Sequence, residues 1–120
     1  MKKILIVEDQ APVAKIMEEI LKKGGYEVYT AVNGQVGIER AIEIKPDFIF
    51  TDIMMPVKTG YDLLKELRVL PEFQTLPIYA ISAKGGTKDA EAATAVGATG
   101  FLPKPFSPGT VLELVKKILS

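Results

Sequence analysis

The sequence predicts an α/β fold in which helices cover both faces of a doubly wound, five-stranded parallel sheet. Short apolar runs alternate with longer segments in which apolar residues recur at helical spacing. Most of these runs are continuously apolar, which is typical of parallel strands that are buried on both faces. A length of 120 residues, with 48% apolar and 25% charged residues, indicates one domain over residues 1–120.

Strands and helices are predicted to alternate along the whole chain. The strands are predicted at residues 3–7, 26–31, 48–51, 78–81 and 100–102. The helices are predicted from Pro12 to Gly24, from Asn33 to Lys45, after an N-cap at Thr59, over Asp89–Val96, and after an N-cap at Ser107. Between them, 71–77 is predicted to be a loop and 85–86 a flexible connection. The fourth helix is mostly Ala and Thr, so we expect it to be the most loosely held.

Acidic residues follow two of the predicted strands. Right-handed crossovers and short connections favour the strand order 2-1-3-4-5, a flavodoxin-like three-layer sandwich. This order places the first and third strands side by side, so that Glu8 and Asp9 meet Asp52. Ser82 ends the next strand and Lys104 follows the last one. In open α/β sheets, ligands bind outside the carboxyl ends of the strands, so these five residues are the candidate site.

The composition excludes several classes of function. Fifteen basic residues balance fifteen acidic ones, so bulk charge does not favour nucleic acid or membranes as partners. The sequence contains no Cys and no His, which removes disulfides, thiolate chemistry and the commonest transition-metal ligand. No apolar run approaches membrane-spanning length, and we expect a cytoplasmic protein.

Three carboxylates in one crevice require protons or a cation to offset their repulsion. Because the ligands are oxygen atoms only, a hard cation is favoured, namely Mg²⁺ with Mn²⁺ as a substitute. A metal ion, a lysine and a hydroxyl around an aspartate are the groups that phosphoryl transfer needs. An aspartate carboxylate can accept the phosphoryl group and form an acyl phosphate.

The whole chain resembles a response-regulator receiver domain of two-component phosphorelay signalling. The resemblance is carried by Glu8-Asp9, the segment Asp52-Ile-Met-Met-Pro-Val-Lys-Thr-Gly60, Ser82-Ala83 and Lys104-Pro105-Phe106. It implies that Asp52 accepts a phosphoryl group from the phosphohistidine of a sensor histidine kinase or a histidine phosphotransfer protein. It also implies a signalling switch that catalyses only its own phosphorylation and slow dephosphorylation.

The resemblance implies a role for each residue of the site. Asp9, Asp52 and the main-chain carbonyl of Met54 would ligate Mg²⁺, with Glu8 assisting through water. Lys104 would pair with Asp52 and then with the phosphoryl group, and its bond to Pro105 would be cis. Ser82 would move to bind the phosphoryl group, and Phe101 would turn inward. The surface of the fourth helix, fifth strand and fifth helix would then change its affinity for a downstream protein or an output domain.

The sequence departs from the common family pattern at three positions. Glu8 stands where Asp is commoner, Ser82 replaces the frequent Thr, and the switch aromatic Phe101 has no hydroxyl. Met54 and Lys84 occupy the positions that modulate acyl-phosphate hydrolysis in this family. Neither is an acid or amide that would position water, so the resemblance implies a long-lived phosphoryl state.

Other functions remain open from the sequence alone. A flavin carrier shares the architecture but needs a Ser/Thr/Gly-rich loop after the first strand, where this chain has Glu8-Asp9. An aspartate-nucleophile phosphohydrolase needs an acid where Met54 stands. A receiver-shaped binding module that works without phosphorylation is the main alternative. The cognate kinase, the pathway, the output and the choice between a monomer and a weak dimer are not specified by the sequence.

Overall fold

The computed structural model describes residues 1–82 and 87–119. The strands found in these residues form one parallel sheet and are β1 (Lys3–Val7), β2 (Glu27–Ala31), β3 (Phe48–Asp52), β4 (Ile78–Ser82) and β5 (Gly100–Pro103). Their order is β2-β1-β3-β4-β5, which confirms the predicted topology. Successive strands are therefore added on opposite sides of β1, and the order reverses between β1 and β3. A crevice forms at this point, at the carboxyl ends of the strands.

Helices connect these strands on both faces of the sheet. Those in the described residues are α1 (Ala11–Lys23), α2 (Gly34–Ile44), α3 (Gly60–Arg68), α4 (Thr87–Ala95) and α5 (Pro108–Leu119). Thr59 is the N-cap of α3 as predicted, and its hydroxyl forms a capping box with the Asp62 carboxylate. The Ser107 hydroxyl accepts a hydrogen bond from the Thr110 amide at the start of α5. None of the helices described here is both long and apolar enough to cross a membrane.

The core consists of one apolar layer on each face of the sheet. Ile4 and Ile6 of β1 pack with residues of α1 and α5, whereas the alternate residues Leu5 and Val7 pack with residues of α2 and α3. This division follows from the strand period of two, which sends successive side chains to opposite faces. The result is a three-layer sandwich with the sheet in the middle.

The structure corrects the sequence prediction at one connection and leaves two apolar side chains of the helices exposed. The predicted loop at 71–77 contains a 3-10 helical turn over Pro71–Phe73, because Pro71 suits the first turn and Phe73 is buried in the core. Two apolar positions of the helical patterns, Ile16 and Ile42, are 55% and 48% exposed. Ile16 lines a surface groove with Pro105 and Phe106 instead of packing inside.

Candidate functional site

Three carboxylates meet where β1 and β3 end at the same edge of the sheet. Val7 pairs with Thr51 in the parallel register, so that Glu8 and Asp9 lie beside Asp52. One oxygen atom from each of these acids lies within 4.8 Å of the others. Glu8 and Asp52 are buried, whereas Asp9 is exposed. The predicted convergence of these acids is therefore present in the fold.

Asp52 is held rigidly by its neighbours. Its Oδ1 accepts a hydrogen bond of 2.8 Å from the backbone N–H of Ile53. The first turn of α3 packs directly against its main chain, since a Cβ at Gly60 would lie 2.3 Å from the Asp52 carbonyl oxygen. Glycine is the residue that permits such an approach. The side chain of Asp52 thus has a fixed position at the floor of the crevice.

Lys104 binds two of the acids, and Glu8 more closely than Asp52. Its Nζ donates to Glu8 Oε1 at 2.8 Å and to Asp52 Oδ2 at 3.4 Å. The family resemblance implied only the pairing with Asp52. Glutamate is one methylene longer than aspartate, so Glu8 reaches the ammonium group, and its other oxygen accepts from the backbone N–H of Gln10 at 3.2 Å. The peptide bond between Lys104 and Pro105 is cis.

Burial and charge shift the protonation of this ion pair. Burial raises the pKa of Glu8 to about 7, although the hydrogen bond from Lys104 opposes the shift. Burial would lower the pKa of Lys104, but the hydrogen bond to Glu8 and the charge of Asp52 raise it above its ordinary value. The ammonium of Lys104 therefore supplies positive charge to the crevice.

The donor set fits a hard divalent cation. It consists of carboxylate oxygens close enough to share one ion, and the sequence contains no His or Cys that would favour a softer metal. Asp9 is exposed and lines the open cavity, so a cation bound there would keep water ligands on the cavity side. Mg²⁺ characteristically binds in this way, through few carboxylates and several waters.

Asp9 and Asp52 line a cavity of about 440 Å³. Its lining combines charged, hydroxyl and apolar side chains: Asp9, Gln10, Asp52, Ile53, Met54, Tyr61, Ser82, Asp89 and Lys104. Ser82 is buried at the end of β4, and its hydroxyl donates to Asp89 Oδ2 at 3.3 Å. Sequence reasoning missed Tyr61 and Asp89, because tertiary packing of α3 and α4 brings them here and no motif marks them.

Of the remaining predicted site residues, Met54 lines this cavity and Phe101 does not. Met54 is 69% exposed at its mouth. Phe101 lies opposite Ala80 in the sheet register and is half-buried against the apolar layer on the α2 and α3 face. Lys84 and the predicted connection at 85–86 lie outside the described residues.

Comparisons with known proteins agree on one family. A family model described as "Response regulator receiver domain" matches residues 4–116. The chain is 34% identical over 116 residues to the protein named "Probable transcriptional regulator ycf29" of Porphyra purpurea, covering 97% of this chain and 56% of that protein. The chain thus spans about half the length of the curated relatives it matches, with 53% for the same-named protein of Pyropia yezoensis.

Solved structures with the same fold match nearly the whole chain. The Vibrio cholerae chemotaxis protein CheY4 superposes with a TM-score of 0.93 at 33% identity, over 98% of both chains. The signal receiver domain of a signal transduction histidine kinase from Syntrophus aciditrophicus gives 0.91 at 29% identity, over 99% of this chain and 90% of that one.

Proposed function

The chain belongs to the family of response regulator receiver domains, and on that premise we propose that it is a phosphorylation switch whose acceptor is Asp52. One observation carries the proposal. Lys104 binds both Glu8 and Asp52 at the floor of an open cavity that is also lined by Asp9 and Ser82. Such an arrangement supplies an acceptor, a cation site, a fixed positive charge and a hydroxyl donor within one pocket. Residues 1–120 are one receiver domain in this proposal.

Asp9, Asp52 and the main-chain carbonyl of Met54 would hold Mg²⁺, with Glu8 assisting through water, and the bound ion would neutralise negative charge on the phosphoryl oxygens. The protein's own groups supply the rest of the environment. The amide of Ile53 fixes one Asp52 oxygen, at 2.8 Å, and so limits rotation of the carboxylate. The ammonium of Lys104 lies 3.4 Å from the other oxygen. Positioning and charge neutralisation are the main contributions a protein makes to this type of reaction.

The transfer itself is a displacement at phosphorus. An Asp52 oxygen forms the new P–O bond, the P–N bond to the donor histidine breaks, and its electron pair remains on the imidazole nitrogen. Lys104 then pairs with a phosphoryl oxygen, which requires it to leave Glu8. We expect this change of partner to be a feature of the present chain, since the Glu8–Lys104 distance is 2.8 Å.

The phosphoryl group would act on the fold through Ser82 and Phe101. Ser82 turns its hydroxyl to the phosphoryl oxygen, Phe101 turns inward, and the surface formed by α4, β5 and α5 changes its partner affinity. This is a shift between two populated packings and needs no new fold. The phosphoryl donor is a histidine kinase or a histidine phosphotransfer protein.

The relatives are about twice as long as this chain, which bears on how the signal is passed on. Since the chain spans about half of two proteins named as transcriptional regulators, we propose that the output is delivered by a further domain or by a separate protein. The receiver itself would make no direct contact with nucleic acid. A weak dimer through α4, β5 and α5 is compatible with this output.

Intact mass tests the acceptor directly. The protein is incubated with Mg²⁺ and a small-molecule phosphodonor, beside Asp52→Asn and beside Glu91→Gln, which removes one exposed acid of α4. We expect one added phosphoryl group in the wild type and in Glu91→Gln, dependent on Mg²⁺, and none in Asp52→Asn.

The absence of an adduct in the wild type would leave two explanations. Titration with beryllofluoride and Mg²⁺, which mimics the acyl phosphate without transfer, would then separate two cases. Binding would indicate a site that accepts phosphate only from its own kinase. No binding would overturn the switch and leave a receiver fold that works as a binding module.

A further inference from the structure

Ser82 and Asp89 link the candidate site to helix α4. The Ser82 hydroxyl, at the end of β4, donates to Asp89 Oδ2 at 3.3 Å. Asp89 lies in the first turn of α4, is half-buried and lines the same cavity as Asp52. The hydroxyl proposed to bind the phosphoryl group is therefore hydrogen-bonded to a residue of α4 before phosphorylation.

The described contacts that hold helix α4 lie mainly at its C-terminal end. Among its described side chains, Ala93 is the buried one. Just after the helix, the carbonyl of Gly97 accepts a hydrogen bond of 2.9 Å from Arg68 Nε, and the amide of Ala98 donates to Ala93. A helix anchored at one end and weakly packed along its length can pivot about the anchored end.

The charge of Asp89 faces the cavity. Burial raises the pKa of the neighbouring Tyr61 phenol, and the Asp89 carboxylate raises it further. An acyl phosphate on Asp52 would carry about two negative charges, where the free carboxylate carries one. Asp89 would then face like charge in a partly enclosed space, where charges interact more strongly than in water.

We propose that Asp89 is a positioning residue that acts as a resting-state latch. Its carboxylate holds the Ser82 hydroxyl on the α4 side of the cavity, and the phosphoryl group displaces it by taking that hydroxyl and repelling the carboxylate. The proposal rests on the proposed function, since it explains how phosphorylation of the same site would move α4.

The latch explains how a small movement of the Ser82 side chain would change the position of helix α4. Transfer of one hydrogen bond from Asp89 to the phosphoryl group removes the described side-chain tie between β4 and the first turn of α4. Repulsion then drives that turn away from the site while the C-terminal end stays fixed by Arg68. The surface that changes is the one on α4.

Three variants test the latch. Asp89→Asn removes the charge and weakens the hydrogen bond from Ser82, and Ser82→Ala removes the donor of that bond. Glu91→Gln removes an exposed acid from the same helix and is the matched control. Amide hydrogen exchange of α4 is measured in the resting protein, and beryllofluoride with Mg²⁺ is titrated while the amide resonances are followed.

We expect faster exchange in the first turns of α4 for Asp89→Asn and Ser82→Ala, with Glu91→Gln unchanged. We also expect Asp89→Asn to bind beryllofluoride at least about fivefold more tightly than wild type, as for a typical coupling between two states. Its resting amide resonances should move toward those of the beryllofluoride-bound wild type.

The outcomes separate this latch from the proposed function. A wild type that does not respond to beryllofluoride overturns the proposed function, and the latch with it. A wild type that responds, with Asp89→Asn binding no more tightly than Glu91→Gln, overturns the latch alone. Unchanged α4 exchange in Ser82→Ala also overturns it, and that variant leaves the sequence of α4 intact.

Discussion

Helices α3 and α4 have the same length and contribute to the same apolar layer, yet they are held very differently. Each has nine residues. Helix α3 buries Leu63, Leu64 and Leu67 completely and begins with a capping box. Among the described side chains of α4, only the methyl group of Ala93 is buried. Equal helical length thus conceals a large difference in buried apolar area, which is the main source of tertiary stability.

This difference divides the cavity into a fixed and a responsive side. On the fixed side, the end of β3 and the start of α3 hold Asp52 through the Ile53 amide and the close approach of Gly60. On the responsive side, α4 reaches the site through Asp89 and Ser82. Chemistry requires the acceptor to keep its geometry, whereas signalling requires a neighbouring element to change. The fold meets both needs by placing them on different helices.

The largest expected effect is on α3. Leu64→Ala removes a fully buried side chain and should lower the free energy of unfolding by about 2–5 kcal/mol. Ala93→Gly is the corresponding change in α4, and it should cost only about 1 kcal/mol, mostly through helix propensity. Urea denaturation of both variants measures the two values. Similar losses would show that α4 is as firmly packed as α3 and would remove the contrast between them.

A smaller effect is expected where the two helices are tied together. Arg68, in the last turn of α3, donates to the carbonyls of Gly97 and Phe73 at 2.9 and 2.6 Å. Arg68→Met should lower the free energy of unfolding by roughly 1.5–3 kcal/mol, because hydrogen bonds to a charged donor are lost. It should also speed amide exchange at the C-terminal end of α4, where the helix is anchored.

Lys65→Met is the matched control for this anchor, since Lys65 is an exposed basic residue of the same helix. It should leave both stability and exchange close to wild type. Faster exchange at the C-terminal end of α4 in both variants would mean that general weakening of α3, and not loss of the Arg68 hydrogen bonds, loosens α4.

The fixed side of the site was predictable from the sequence and the responsive side was only partly so. Apolar runs ending in Glu8 and Asp52 determine which acids meet once the strand order is inferred, and Thr59 with Asp62 marks the start of α3. The Ala-rich composition of α4 pointed to weak packing. Such local signals suffice where the contact follows from strand register.

Contacts made by side-chain reach or by tertiary packing were not predictable in this way. The closer pairing of Lys104 with Glu8 than with Asp52 depends on one methylene group and on where the β5–α5 connection places the lysine. Asp89 reaches Ser82 because the first turn of α4 lies beside the end of β4. Ile16 obeys the helical period of α1 but is exposed in a surface groove with Pro105 and Phe106, and periodicity alone does not say which apolar residues a neighbouring element covers.

The smallest expected effect concerns hydrolysis at the mouth of the cavity. Met54 follows the acceptor strand on the fixed side, is 69% exposed and carries no group that orients water. In Met54→Asn an amide would hold the attacking water against the phosphoryl group. One added hydrogen bond, worth about 0.5–1.5 kcal/mol, corresponds to a phosphoryl lifetime roughly two- to tenfold shorter.

The decay of the added mass after removal of the phosphodonor measures this lifetime, with Met54→Leu as an apolar control of similar size. Because the change lies on the fixed side, amide exchange of α4 in the resting protein should be the same in wild type, Met54→Asn and Met54→Leu. A lifetime in Met54→Asn equal to or longer than in Met54→Leu would show that this position does not govern hydrolysis. A change in α4 exchange would show instead that the two sides of the cavity are coupled before phosphorylation, since the substituted residue belongs to the side that we describe as fixed.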